Sequence, residues 1–139
     1  MTVTTSVLAN DGGAPARIIN FEANEAITAG TACEVLSTGK VQMCDGANEL
    51  VAGWALTDAA SGGQCSLITG SGIILYVHVD GTTDVTVGDN LVLAASSGGA
   101  LSKSANTDGD SAVAVALEDA TATAAANLSS GALFKVLVK

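Results

Sequence analysis

Aromatic side chains are scarce in this sequence: Phe21, Trp54, Tyr76 and Phe134 are the whole supply in 139 residues. Much of the 48% hydrophobic content is Ala, whose small side chain buries little area at about 25 cal/mol per Å². A modest core of this kind favours stabilisation by self-association or by docking on a larger surface. Basic residues are as rare, with Arg17, Lys40, Lys103, Lys135 and Lys139 set against fourteen acidic ones for a net charge of −9. None occurs between Val41 and Ser102. Affinity for phosphates is built on clustered Lys and Arg, so nucleic acid and anionic membrane surfaces are both disfavoured as partners.

Cys33, Cys44 and Cys65 are odd in number and have no CxxC spacing. They read as small buried apolar residues of a protein made in a reducing compartment, not as a disulfide framework. Zinc prefers four ligands at recognisable spacings, and the sole histidine, His78, is distant in sequence, so no metal site is expected. The N-terminus lacks the charge and apolar stretch of a secretory signal, and Ile73 to Val77 is far shorter than the ~20 residues of a transmembrane helix. The expectation is a soluble protein made in the cytoplasm.

Catalytic constellations are equally thin. His78 alternates with apolar neighbours in Tyr76-Val77-His78-Val79, and neither a nucleophile nor an orienting acid is nominated beside it. Asn106-Thr107-Asp108-Gly109-Asp110 begins like a calcium loop, but Ser111 and Leu117 stand where that pattern needs Gly and Glu. Gly70-Ser71-Gly72 lacks the GxSxG spacing of a nucleophile elbow, and Gly39-Lys40 lacks the first Gly of a phosphate loop. Asn127-Leu128-Ser129 is a formal glycosylation sequon without a secretory signal. Asp58, Glu118 and Asp119 follow apolar strands at equivalent turns, where turn chemistry explains them better than acid/base work. The chain is read as no enzyme, with no cofactor.

What the sequence does contain is an echo of itself. Ile27-Thr28-Ala29-Gly30 returns as Val85-Thr86-Val87-Gly88 (85 − 27 = 58), and Trp54-Ala55-Leu56-Thr57-Asp58-Ala59 returns as Val115-Ala116-Leu117-Glu118-Asp119-Ala120 (115 − 54 = 61). Two matches in one order at nearly one offset predict two copies of a β-rich unit, over about 25–80 and 83–138. Strand signals fall at Cys33 to Leu36, Lys40 to Met43, Leu50 to Leu56, Cys65 to Thr69, Ile73 to Val79, Asn90 to Leu93, Leu101, Ala112 to Leu117 and Gly131 to Val138, with Gly-, Ser- and Asp-rich turns between them. The last strand matches either Cys65 to Thr69 or Ile73 to Val77, and Thr121 to Leu128 permits a short helix or a turn. Short strands at regular intervals without a long amphipathic helix imply an all-β sandwich or barrel. Residues 1–24 differ, being Thr- and Asn-rich with the single proline, Pro15. They read as an arm before a domain of 25–139, and the arm is open to three readings: a disordered tail, an edge strand, or a strand donated to a partner.

The segments 27–30, 51–62, 85–89 and 113–120 resemble the capsid decoration, or cement, proteins of tailed bacteriophages, in which stretches such as G-x-A-L-x-D-A-A-x-G and I-T-V-G-D recur. The resemblance spans roughly residues 25–138. It implies a small β-barrel or β-tulip that sits on the outer surface of an expanded capsid, bridges capsomers and stabilises the shell, with the major capsid protein as partner and self-association as a homotrimer, or a dimer. It also implies that an extended N-terminal segment engages the shell. Here that role falls to the arm, through Thr2, Val3, Thr4, Thr5, Val7, Leu8, Arg17 and Ile18. The other reading kept open is a fibre, tail or carbohydrate-binding β module.

Overall fold

In the computed structural model the described residues are 16–46, 49–79, 84–94, 98–104, 112–120 and 133–139. They form ten strands in two antiparallel sheets, with no helix among them. The first sheet holds β1 (Arg17–Glu22), β2 (Ala32–Val35), β3 (Val41–Met43), β4 (Gly53–Ala55) and β5 (Gln64–Thr69) in the order β1-β5-β4-β2-β3. The second holds β6 (Ile74–Val77), β7 (Asn90–Leu93), β8 (Leu101–Lys103), β9 (Ala114–Ala116) and β10 (Phe134–Val138) in the order β6-β10-β9-β7-β8. The two orders are one topology used twice, so the all-β, two-unit reading of the sequence is borne out.

Each sheet curls strongly. Just past β1, Ala23 forms a parallel bridge to Val41 in β3, and just past β6, Val79 does the same to Leu101 in β8. Each unit therefore wraps an interior of its own. In the first unit Cys33, Val41, Ala55, Cys65 and Leu67 point inward, with Ala23 and Ile27 beside them. Their neighbours Ala32, Trp54 and Ile68 point the other way, as strand alternation requires, and join the larger core that fills the second unit.

The register assigns the final strand. Ala55 pairs with Leu67 and Ala116 with Val136, so β10 is the counterpart of β5, and β6 is the counterpart of β1. The copies as built thus run from β1 to β5 and from β6 to β10. β1 lies inside the stretch expected to be arm, and β6 opens the second copy instead of closing the first. The echo missed both because it begins only after these strands, whose side chains differ. For the arm, residues 1–15 and the Thr121-to-Leu128 segment lie outside the described residues.

The units are riveted at Gly99. Its N–H donates to Cys44 C=O (2.7 Å) and its C=O accepts from Ala32 N–H (2.8 Å). A Cβ there would stand 2.7 Å from both Ala32 O and Thr31 Cβ, and φ is +76°, so only glycine fits.

Candidate functional site

The echoed segments turn out to hold each other. Within the first unit Ile27 and Ala59 exchange backbone hydrogen bonds (2.8 and 2.9 Å), and within the second Val85 and Ala120 do so (both 2.8 Å). The turn carboxylates complete the clasp: Asp58 Oδ1 accepts from Ala29 N–H at 2.8 Å and Asp119 Oδ1 from Val87 N–H at 2.9 Å. Gly30 N–H donates to Ala55 C=O (2.8 Å) and Gly88 N–H to Ala116 C=O (2.9 Å), both glycines with positive φ of 83° and 91°. Asp58 and Asp119 are therefore turn-builders. Glu118 has a similar task, accepting from Lys135 N–H at 2.9 Å.

The remaining sequence candidates are scattered. His78 is 2% exposed, and its backbone N–H donates to Gly30 C=O (3.0 Å) across the junction between units. The three thiols are free and buried. Burial pushes the Cys33 and Cys44 thiols up to about 12, helped in Cys33 by Cys65 and in Cys44 by Glu49, and raises Cys65 as well. A protonated buried thiol is a poor nucleophile. Asn106 to Asp110, Asn127 and the arm residues Thr2, Val3, Thr4, Thr5, Val7 and Leu8 lie outside the described residues. Arg17 and Ile18 stand on β1, exposed at the edge of the first sheet.

One cluster escaped sequence reading. Glu34, Asp45 and Glu49 bring carboxylate oxygens within 4.8 Å of one another. Glu34 already accepts from Gln42 Nε2 (2.8 Å) and Glu49 from Asp45 N–H (2.7 Å), so two of the three are engaged by protein donors. Only folding joins them, because they come from β2 and the loop after β3. A cleft of about 410 Å³ lies where the units meet, lined by Leu50, Val51, Trp54, Val113 and Val138, with Glu49 and Lys139 as its charged side chains. Its walls are mostly apolar, and Thr69 and Ser71 add hydroxyls to its lining.

No protein-family model matches the sequence, and no curated protein does. The fold has a solved likeness. It is similar to the N base of the head fibre gp8.5 of bacteriophage phi29, with a TM-score of 0.65 and 14% sequence identity, covering 90% of this chain and 95% of that one. At that identity the likeness is one of fold.

Proposed function

We propose that this chain is a structural protein of a phage virion that binds the outer surface of the expanded capsid and stabilises it by bridging capsomers, its partner being the major capsid protein. The observation that carries this reading is the fold shared over nearly the full length with part of a phage head fibre. The motifs that resemble cement proteins add to it, since they are the clasps on which both units depend. Function then resides in contact area, not in a reaction, and the protein acts as no enzyme and needs no cofactor. Repetition over a shell supplies avidity, so that each contact can be weak. The protein is made in the host cytoplasm and ends on the virion exterior, and the arm, with Arg17 and Ile18 on β1, faces the shell.

The test is to mix purified protein with expanded and unexpanded shells and image both by electron cryo-microscopy. Added density on the outside of expanded shells is the expected result, and bare shells of both kinds would sink the proposal. Removing residues 1–15, which leaves β1 intact, should preserve the fold by circular dichroism and weaken shell binding. Undiminished binding would move the contact from the arm to the sheets. The likeness to a fibre base favours a second reading, a fibre attachment module; labelled antibodies on virions separate the two, an even coat marking a cement protein and sparse projections a fibre.

A further inference from the structure

The two units meet through unlike surfaces. The first unit contributes its outward row of Ala32, Trp54 and Ile68 and the turn at Ala29-Gly30; the second contributes the end of β6 and its surroundings. A Cβ on Gly30 would lie 2.7 Å from Leu133 Cδ2 and 3.5 Å from both His78 Cδ2 and Tyr76 O, so this turn is seated against those three residues. Because the topology is repeated, each of these surfaces has a counterpart elsewhere on the molecule, and among the described residues both counterparts are more open to solvent, with Glu22 held only by Lys40 (3.2 Å) and Asn20 Oδ1 by Ser66 Oγ (2.7 Å).

The counterpart of the seated turn is Thr86-Val87-Gly88. Val87 is 61% exposed, whereas its equivalent Ala29 packs against the core, and a Cβ on Gly88 would meet nothing within 4 Å. On the receiving side, the register makes Gln64, Glu22 and Asn20 the equivalents of Leu133, His78 and Tyr76. Those three residues line an open depression of about 380 Å³ together with Phe21, Gly62 and Gly63. The same strand is uncovered further along: Ile19 is 39% exposed where its equivalent Leu75 is 0%. Backbone polarity matches too. Ala23 N–H donates to Gly63 C=O, so ladder alternation turns the N–H of Glu22 away from β5, as the N–H of His78 turns to reach Gly30.

We infer that the Thr86–Gly88 turn of one copy docks in the Asn20–Glu22 depression of a second copy of this chain, repeating between molecules the contact made once within each. The contact is head-to-tail, a type that repeats from copy to copy and forms a ring when the rotation between copies closes. An edge strand with exposed Ile18 and Ile19 is a standing invitation to such pairing. The polar lining of the depression suits molecules that fold separately before they meet. This inference is independent of capsid binding.

Crosslinking with a short bis-maleimide tests it directly, since the native thiols are buried. Glu22→Cys alone and Val87→Cys alone should stay single-chain on a denaturing gel, while an equimolar mixture of the two should give a crosslinked pair. Either single variant crosslinking with itself, or the mixture failing to crosslink, overturns the head-to-tail contact. Light scattering gives the second measure. The unaltered protein should run at a multiple of the chain mass that plateaus with concentration, and Val87→Asp, altered at an exposed turn, should drop it about twofold or more to a single chain with unchanged circular dichroism. A single-chain mass for the unaltered protein, or an unmoved mass for Val87→Asp, refutes it.

Discussion

The two units are the same construction with different finishing. Both clasp the turn after their first strand to the turn after their fourth, with a carboxylate on a backbone N–H and a left-handed glycine in each. They part at the outward faces. In the first unit the row Ile68, Trp54 and Ala32 is buried to 2% or less, while the equivalent row in the second, Leu137, Val115 and Asn90, is half-buried. The difference teaches that topology and burial are set by separate means: the clasps accompany the first in both units, and what packs against each outward face decides the second.

The comparison breaks most visibly at Trp54. Trp54→Ala should cost about 3–5 kcal/mol, because it empties a packed site between the units, and its counterpart Val115→Ala about 1 kcal/mol or less. Denaturant midpoints followed by circular dichroism measure both, and equal costs would remove the distinction between the faces. The clasps should behave in the opposite way. Asp58→Ala and Asp119→Ala each delete one carboxylate bond to a backbone N–H and should cost about 1 kcal/mol apiece, alike in the two units and additive in the double variant. A large cost in one unit alone would mean that the clasps are not equivalent.

The smallest effect concerns acid. Asp89 Oδ2 accepts from Thr86 N–H (2.9 Å) and Thr86 Oγ1 (3.1 Å) and pairs with Lys103 (3.3 Å). Chiefly the backbone bond, aided by Lys103, holds its carboxyl below the ordinary value of 3.8. A carboxyl depressed in the folded state stabilises above the unfolded value and ceases to as pH falls through the lower one. The equivalent residue in the first unit is Thr31, whose hydroxyl donates to Thr28 C=O (2.7 Å) and does not titrate in this range. Below pH 3.8 the amides of 86–89 should therefore lose hydrogen-exchange protection before those of 28–31, and Asp89→Asn should abolish the pH dependence of that gap.

Much of this was legible in the residues themselves. The echoed turns were visible because turn chemistry is local: glycine for positive φ, aspartate for a free N–H. Asn90 to Leu93 forms a strand as its short apolar run predicts, and Ser37-Thr38-Gly39 makes the β2–β3 hairpin, with Leu36 N–H bonded to Lys40 C=O. β1 and β6 hid their kinship because Asn20 stands against Tyr76 and Glu22 against His78, residues chosen by what covers each strand. Nothing in sequence separates Trp54 from Val115 as buried and half-buried, since both are apolar at the same place in the same pattern. The Glu34, Asp45 and Glu49 grouping was hidden for a simpler reason, as it comes from chain segments that only the sheet brings together.

Trp54 also makes the molecule its own optical gauge. It is the sole tryptophan, and it is buried at the seam between the units, not in the private interior of the first. Its emission thus reports whether the halves are docked, while the far-ultraviolet signal of the strands reports whether each half is folded. A red shift that precedes loss of β signal on heating would reveal two folded halves drifting apart, and coincident transitions would show that neither half outlives the seam.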